Sequence, residues 1–143
     1  MKTIMPKQLP LSERKWYIID AKGKNLGRLA SFIAPIIRGK NKVSFSPHMD
    51  NGDYVIVLNA GEITVTGAKE EQKLYRSHSQ YLGGLKEIPL SRMRKNKPTE
   101  IVRHAVLGML PKNKLQNDMI QRLKLERGST HGYEAQKPEI LSF

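Results

Sequence analysis

The stretch DYVIVLNA (residues 53–60) contains the longest unbroken apolar run of the chain, YVIVL (54–58). Three of those five residues are β-branched, and Gly52 and Gly61 bound the stretch on its two sides. A run of this kind is typical of a β-strand that is covered on both faces. A short piece of buried helix would have a similar composition, but the β-branching and the flanking glycines favour the strand.

Charge is distributed unevenly around this stretch. Residues 1–45 carry ten Lys or Arg and two Asp or Glu, and residues 86–127 carry eleven and four, whereas residues 46–85 carry three and five. The formal net charge is +12 and the isoelectric point is about 10.0. A balance this basic, concentrated in two flanks, predicts a polyanionic partner.

A second strand and a helix are predicted before the central stretch. WYIID (16–20) has the composition of another buried strand, and Asn25 is a candidate N-cap for the helix that follows. Gly39 is expected to end this helix, and Pro35 to kink it or to end its regular part early. The apolar residues at helical spacing are Leu26, Leu29, Ala30, Ile33 and Ile37. Strand, helix and strand in this order predict a parallel sheet with a right-handed crossover.

The segment after the central strand is predicted to be polar and irregular. Residues 62–66 fit either a short strand or a turn, and residues 73–79 fit a polar edge strand. YLGG (81–84) is expected to be a flexible loop.

Helices are expected to dominate from residue 89 to residue 122. One begins at Pro98, and Asn113 can cap another. Leu123 and Leu125 alternate with charged residues and predict a short strand that closes the sheet. The predicted buried face of the first of these helices consists of Ile101, Val102, Ala105, Val106 and Met109.

We predict a single domain over residues 1–143, since this length suffices for one core. Within it, residues 1–14 are expected to form a basic extended arm, residues 15–127 the α/β core, and residues 128–143 a loosely ordered tail. The absence of cysteine excludes disulfides and thiolate metal sites. Neither a secretory signal nor an apolar membrane span is present in the sequence, so we expect a cytoplasmic protein without a membrane partner.

An enzymatic reading rests mainly on the turn GKNLG (23–27), which follows a strand and opens a helix, where nucleotide-binding folds hold phosphate. It matches neither of the usual phosphate-loop patterns, so no nucleotide cofactor is expected. A glycine turn that lets the helix pack close to the strand explains it equally well. The same turn could instead seat an RNA phosphate, with Lys22, Lys24 and Arg28 nearby.

The histidines predict neither a metal site nor a catalytic set. The four of them, His48, His78, His104 and His131, are never two or four residues apart. His48 with Asp50 and Asp53 could imitate a catalytic pair, but a turn braced by side-chain hydrogen bonds is favoured. His104 is expected at the surface. No small-molecule substrate is therefore predicted.

Three basic clusters carry the functional prediction. Each alone is compatible with an ordinary solvated face, but three on one small domain favour a nucleic-acid partner. A membrane surface is disfavoured because no predicted helix pairs a basic face with Trp or Phe. The clusters are Arg38, Lys40 and Lys42; Arg92, Arg94, Lys95 and Lys97; and Lys112 and Lys114 on either side of Asn113.

Several stretches together resemble one known family. NLGRLAS (25–31), RGKNK (38–42), PHMDNGDYVIVLNA (47–60), TGAKEEQKLY (66–75) and GMLPKNKL (108–115) are similar, in order and spacing, to the bacterial form of protein thirteen of the large ribosomal subunit. The similarity extends over about residues 16–138. It implies a three-layer α/β/α fold around a small, mostly parallel sheet. It also implies a structural, non-catalytic role in binding large-subunit rRNA early in assembly, beside other large-subunit proteins.

The resemblance also implies particular RNA contacts. The matching positions are the basic residues Arg38, Lys40, Lys42, Lys112 and Lys114 together with Asn113, and His78 and Tyr81 match as well. Two other functions stay open at this point. One is a nucleotide-dependent enzyme on the same α/β frame, and the other is an RNA-binding regulator that acts away from the ribosome.

Overall fold

The computed structural model describes residues 6–143 and has an α/β architecture. The strands are β1 (Trp16–Asp20), β2 (Tyr54–Leu58), β3 (Leu74–His78), β4 (Leu85–Pro89), β5 (Leu123–Leu125) and β6 (Glu139–Ile140). The helices are α1 (Leu26–Arg38), α2 (Lys69–Gln72), α3 (Leu90–Asn96), α4 (Pro98–Met109) and α5 (Leu115–Gln121). Two 3-10 turns lie at Leu11–Glu13 and Glu134–Gln136. Within residues 6–143, no helix is long and apolar enough to cross a bilayer.

The central sheet has four parallel strands in the order β5-β2-β1-β6. Strand β2 therefore has a neighbour on each side, and Val55, Ile56 and Val57 are fully buried. This confirms the prediction that the central stretch is a strand and not a helix. The α/β class, the mostly parallel sheet and the closing strand β5 are confirmed as well.

Helix α1 is capped at both ends as predicted. The side chain of Asn25 accepts a hydrogen bond from the backbone N–H of Gly27 at 3.0 Å, and Gly39 ends the helix with φ 76°. The helix does not end at Pro35, however, but continues to Arg38. Proline removes one donor, which would bond to the carbonyl of Ser31, and Ser31 is exposed so that water can replace the donor. The carbonyl of Pro35 itself accepts from Lys40 at 2.9 Å.

The core lies between the sheet and two helices. It contains Ile33 and Ile37 of α1 and Ile101, Val102 and Val106 of α4, and none of these side chains has exposed surface. The prediction for Met109 is wrong, since its side chain is 46% exposed. Met109 is the last residue of α4, where the chain turns away from the core towards Pro111.

Strands β3 and β4 form a separate antiparallel hairpin, with Leu74 opposite Pro89 and His78 opposite Leu85. The strand predicted at residues 73–79 is confirmed, but its partner β4 was not predicted. The segment predicted as a flexible loop is the hairpin turn, closed by a hydrogen bond from Gly84 N–H to the carbonyl of Tyr81 at 2.9 Å.

The predicted N-terminal arm is partly folded onto the core. Residues 1–5 of that arm lie outside the described residues. Further along, the backbone N–H of Leu9 donates to the side chain of Asn51 at 2.9 Å, and Arg14 is buried. The end of the arm is therefore part of the domain, because a buried ion pair of Arg14, described below, fixes it there.

The tail after residue 127 is largely irregular, as predicted, yet it also adds the two-residue strand β6 to the edge of the sheet. The backbone N–H of Leu141 donates to the carbonyl of Ile18 at 2.9 Å. Tyr133 stacks on Trp16, which in turn stacks on Tyr54 with ring centroids 4.1 Å apart. These contacts join the tail to the edge of the core.

Candidate nucleic-acid interface

The first basic surface surrounds a groove between β4, α3 and α4. The groove encloses about 600 Å³, and the half-buried side chains of Ile88 and Met93 line it. Lys86, Arg92 and Lys97 are exposed around it. The local fold explains this arrangement, because α3 begins directly after β4 and a single residue, Lys97, separates α3 from α4.

The second basic surface lies at the connection from α4 to α5. Lys112, Asn113 and Lys114 are all exposed and line a shallower depression of about 640 Å³. The side chain of Asn113 accepts a hydrogen bond from the backbone N–H of Gln116 at 3.2 Å, as its predicted role as a cap requires. Asn113 thereby fixes the start of α5 between the two lysines.

These two surfaces are joined, because His104 of α4 lines both the groove and the shallower depression. Residues of two of the three predicted clusters thus lie around α4. We call the combined surface the α4 face. It consists of Lys86, Arg92, Lys97, His104, Lys112, Asn113 and Lys114.

The cations of the α4 face are not neutralised within the protein. Among residues 6–143, none of its five Lys and Arg residues forms an ion pair. Lys95 is also exposed and without an ion pair in that range, but it does not line the groove. Unpaired cations concentrated on one side create a field that attracts a polyanion.

Arg94, from the Arg92–Lys97 cluster, is instead half-buried and bonded to other parts of the protein. Its guanidinium donates to both carboxylate oxygens of Glu70, at 2.7 and 3.0 Å, and to the carbonyls of Gly61 and Ile63, at 3.2 and 2.9 Å. The hydrogen bonds from Arg94 lower the pKa of Glu70 below its ordinary value. Arg94 therefore links α3 to α2 and to the loop after β2, and we do not count it in the interface.

The cluster at the end of α1 is also divided. Lys42 contacts the buried carboxylate of Asp53 at 2.5 Å, and only 20% of the lysine side chain is exposed. Arg38 lies over the ring of Phe45, 5.2 Å from its centroid, and Lys40 is exposed. Lys40 and Arg38 are thus available to a partner, whereas Lys42 stabilises the loop before β2.

The cations at the start of α1 lie at the opposite end of this 13-residue helix, about 20 Å away. Lys22 is 3.6 Å from Glu62, and the ammonium of Lys24 contacts the carbonyl of Phe143. Arg28 is exposed and forms no ion pair within residues 6–143. The cationic surface is therefore spread over separated parts of the protein.

The start of α1 has fewer free backbone N–H donors for a phosphate than its sequence predicts. The backbone N–H of Leu26 already donates to the carbonyl of Thr64 at 3.0 Å, and that of Gly27 donates to Asn25. The backbone N–H of Gly23 donates to the carbonyl of Glu62 at 3.1 Å. Since these donors are occupied, the turn joins α1 to the chain after β2. Close packing does not explain its glycines, because an added Cβ would meet nothing within 4 Å at Gly23 and only the Asn25 side chain, at 3.6 Å, at Gly27. Gly23 instead has φ 66°, in the left-handed region that favours glycine.

Sequence reasoning missed a buried cluster of charges. Asp50 lies between Arg14 and Arg122, and both oxygens of its carboxylate pair with Arg122. Arg122 also donates to the carbonyl of Ile37 at 2.9 Å. The available signal was the pair of aspartates that flank Asn-Gly before a buried strand, because buried carboxylates need cationic partners. His48 takes no part and contacts Ser46 Oγ at 2.7 Å, as a braced turn predicts.

His78 and Tyr81 lie at the hairpin, and neither forms an ion pair within residues 6–143. The ring of His78 accepts from the backbone N–H of Gln80 at 3.0 Å, and Tyr81 is 79% exposed. Leu82 beside it is fully exposed. An aromatic ring displayed in this way can stack on an RNA base. Within residues 6–143, no group of side chains is arranged to hold a metal ion.

Comparison with known proteins identifies relatives over nearly the whole length. The family model described as ribosomal protein L13 matches residues 14–132. The large ribosomal subunit protein uL13 of Ruminiclostridium cellulolyticum is 55% identical over 141 residues, which cover 99% of this chain and 97% of the relative. The uL13 proteins of Clostridioides difficile and Agathobacter rectalis are 53% and 50% identical, over 92% and 100% of both chains.

Proposed function

Since this chain belongs to the ribosomal protein L13 family, and is thus a protein of the large ribosomal subunit, we propose that it binds large-subunit rRNA and holds folded segments of it together. The observation that carries the proposal is the α4 face, where five exposed cations line a continuous surface without internal partners among the described residues. Phosphate neutralisation by Lys and Arg supplies most of the sequence-independent affinity for nucleic acid.

The spread of charge supports a role in joining RNA segments. Arg28 and Lys40 lie near opposite ends of α1, and the α4 face is a further surface. A protein with several cationic surfaces can contact more than one RNA element at once, which lowers the repulsion between their phosphates. We propose that this action takes place early in assembly of the subunit, in the cytoplasm, beside neighbouring large-subunit proteins.

The proposed role is structural and not catalytic, with no cofactor or small-molecule substrate. The paired acids support this, because buried Asp50 and Asp53 and half-buried Glu70 each pair with Arg or Lys. These carboxylates therefore stabilise the fold, and the cations that remain exposed are suited to RNA backbone.

The proposal is tested by expressing an affinity-tagged copy of the protein in bacterial cells and separating ribosomal particles by sedimentation. We expect the tagged protein in large-subunit precursors as well as in mature large subunits, with ultraviolet crosslinks to large-subunit rRNA. A tagged protein that stays at the top of the gradient, or that joins only completed subunits, would contradict the proposed role or its timing.

A further inference from the structure

The groove of the α4 face has the size and lining of a site for a small ligand. Its volume of about 600 Å³ falls within the range of about 300–1,000 Å³ that is usual for such sites. Ile88 and Met93 supply apolar surface. The Met side chain is flexible and its sulfur is polarisable, so it can adjust to pack against a flat ring. A groove of these dimensions is too small for a double helix to enter.

Charge in the groove favours an anionic ligand. Two acids, Glu87 and Glu100, also line it, but each is paired with an arginine. Arg76 contacts Glu87 at 2.6 Å, and Arg103 contacts Glu100 at 3.5 Å. The three cations named above as lining the groove have no such pair among residues 6–143, so the groove keeps an excess of positive charge.

One aromatic ring is positioned at the same site. His104 is exposed and lines the groove, and its ring lies 5.6 Å from the ring of half-buried Tyr75. Tyr75 belongs to β3 and thus connects the position of His104 to the hairpin. Histidine rings are among the side chains on which unstacked RNA bases are held.

From these features we propose that the groove takes one unpaired nucleotide that is turned out of the folded rRNA. Its base lies on Met93 and Ile88 beside the ring of His104, and Lys86, Arg92 and Lys97 contact the adjoining phosphates. This inference rests on the proposed function and adds a defined nucleotide-binding site to it. An apolar side chain of a neighbouring protein could also pack on Ile88 and Met93, but it would leave the three cations without partners.

The test places a photoreactive benzophenone amino acid at position 96, an exposed Asn at the end of α3 that also lines the groove. A control protein carries the same group at Gln72, which is exposed on α2. Large subunits containing each tagged protein are irradiated, and the crosslinked nucleotide or protein is identified. We expect the group at position 96 to mark one or two nucleotides that are unpaired in the folded rRNA, and the control not to mark them.

A second variant fills the groove. With Asn96→Trp, the marked nucleotide should become more reactive to base-modifying reagents in assembled subunits, by roughly tenfold, the factor expected when a single base loses its stacking partner. Gln72→Trp should leave that reactivity unchanged. Crosslinks to a protein or to paired nucleotides, or an unchanged reactivity in Asn96→Trp subunits, would overturn this proposal. If tagged protein without any photoreactive group fails to enter large subunits, the proposed function itself is contradicted.

Discussion

Asp50 and Arg122 are 72 residues apart in the sequence, yet they form a two-pronged ion pair inside the protein. Asp50 is 7% exposed and Arg122 is 3% exposed. The pair connects the loop before β2 to the end of α5, and Arg14 joins it from the N-terminal segment, 2.9 Å from the carbonyl of Asp50. Three distant parts of the chain are thus held around one carboxylate.

Replacement of this carboxylate should destabilise the protein strongly. Asp50→Asn would leave the guanidinium groups of Arg14 and Arg122 buried without a counter-charge, for which we expect a loss of about 3–5 kcal/mol in the free energy of unfolding. Urea unfolding followed by circular dichroism measures it. Asp118→Asn, at an exposed position on α5, is the matched control and should change little. Equal unfolding midpoints for the two variants would show that the buried pair contributes no net stability.

Gly52 should be irreplaceable for a steric reason. A Cβ atom at this position would lie 1.6 Å from the carbonyl oxygen of Ile37, which is backbone and cannot rotate away. We expect Gly52→Ala to cost at least about 2–3 kcal/mol of stability. Gly128→Ala, where nothing lies within 4 Å of the added atom, is the control. The prediction fails if both variants melt at the same temperature as the unaltered protein.

The Glu70–Arg94 pair should make stability depend on pH in the acid range. Hydrogen bonds from Arg94 place the pKa of folded Glu70 below its ordinary value of 4.5. The pair therefore stabilises the protein above pH 4.5, and this contribution is lost as the pH falls through the lower, folded-state pKa. Because the carboxylate is partly exposed, we expect less than about 1 kcal/mol.

The variant for this measurement is Glu70→Gln, with exposed Glu71→Gln as its control. Unfolding free energies at several pH values between neutrality and the acid limit of folding give the comparison. Glu70→Gln should be less stable than the unaltered protein near neutral pH, and the difference should shrink towards low pH. A difference that grows on acidification would contradict the assigned direction of the pKa shift.

The lysines beside Asn113 should serve binding and not folding. Lys112 and Lys114 are exposed, so the double variant Lys112→Ala with Lys114→Ala should keep its melting temperature while its affinity for large-subunit rRNA falls. Lys69→Ala with Lys73→Ala removes the same charge from exposed positions around α2 and is the control. A melting temperature that falls together with affinity would show that the segment connecting α4 to α5 is structural.

Local patterns in the sequence predicted those parts of the fold that depend on neighbouring residues. The β-branched run of β2 and the cap, apolar stripe and terminal glycine of α1 are signals of this kind. Strand β4, with the sequence LKEIP, was missed because it is short, mostly exposed and followed at once by a helix. Its pairing with β3 is a tertiary contact that one short segment does not encode.

The candidate site, too, is predictable from the sequence only where it depends on neighbouring residues. Clusters of cations are visible in the sequence, but whether each cation is free depends on acids elsewhere in the chain. Arg94 pairs with Glu70, which is 24 residues away, and Lys42 pairs with Asp53. Neither cation is therefore free to bind RNA. Conversely, His104 joins the groove to the segment between α4 and α5, and this follows only from the folded position of α4.

The central claim, that exposed lysines and arginines bind rRNA through its phosphates, is tested most directly by the salt dependence of binding. The affinity of the unaltered protein for large-subunit rRNA and that of the Lys112→Ala, Lys114→Ala variant are measured over a range of salt concentrations. We predict that log affinity falls linearly with log salt, and that the slope is shallower in the variant by about 0.7–0.9 for each of the two lost contacts. An affinity that is independent of salt, or identical slopes for the two proteins, would contradict the account.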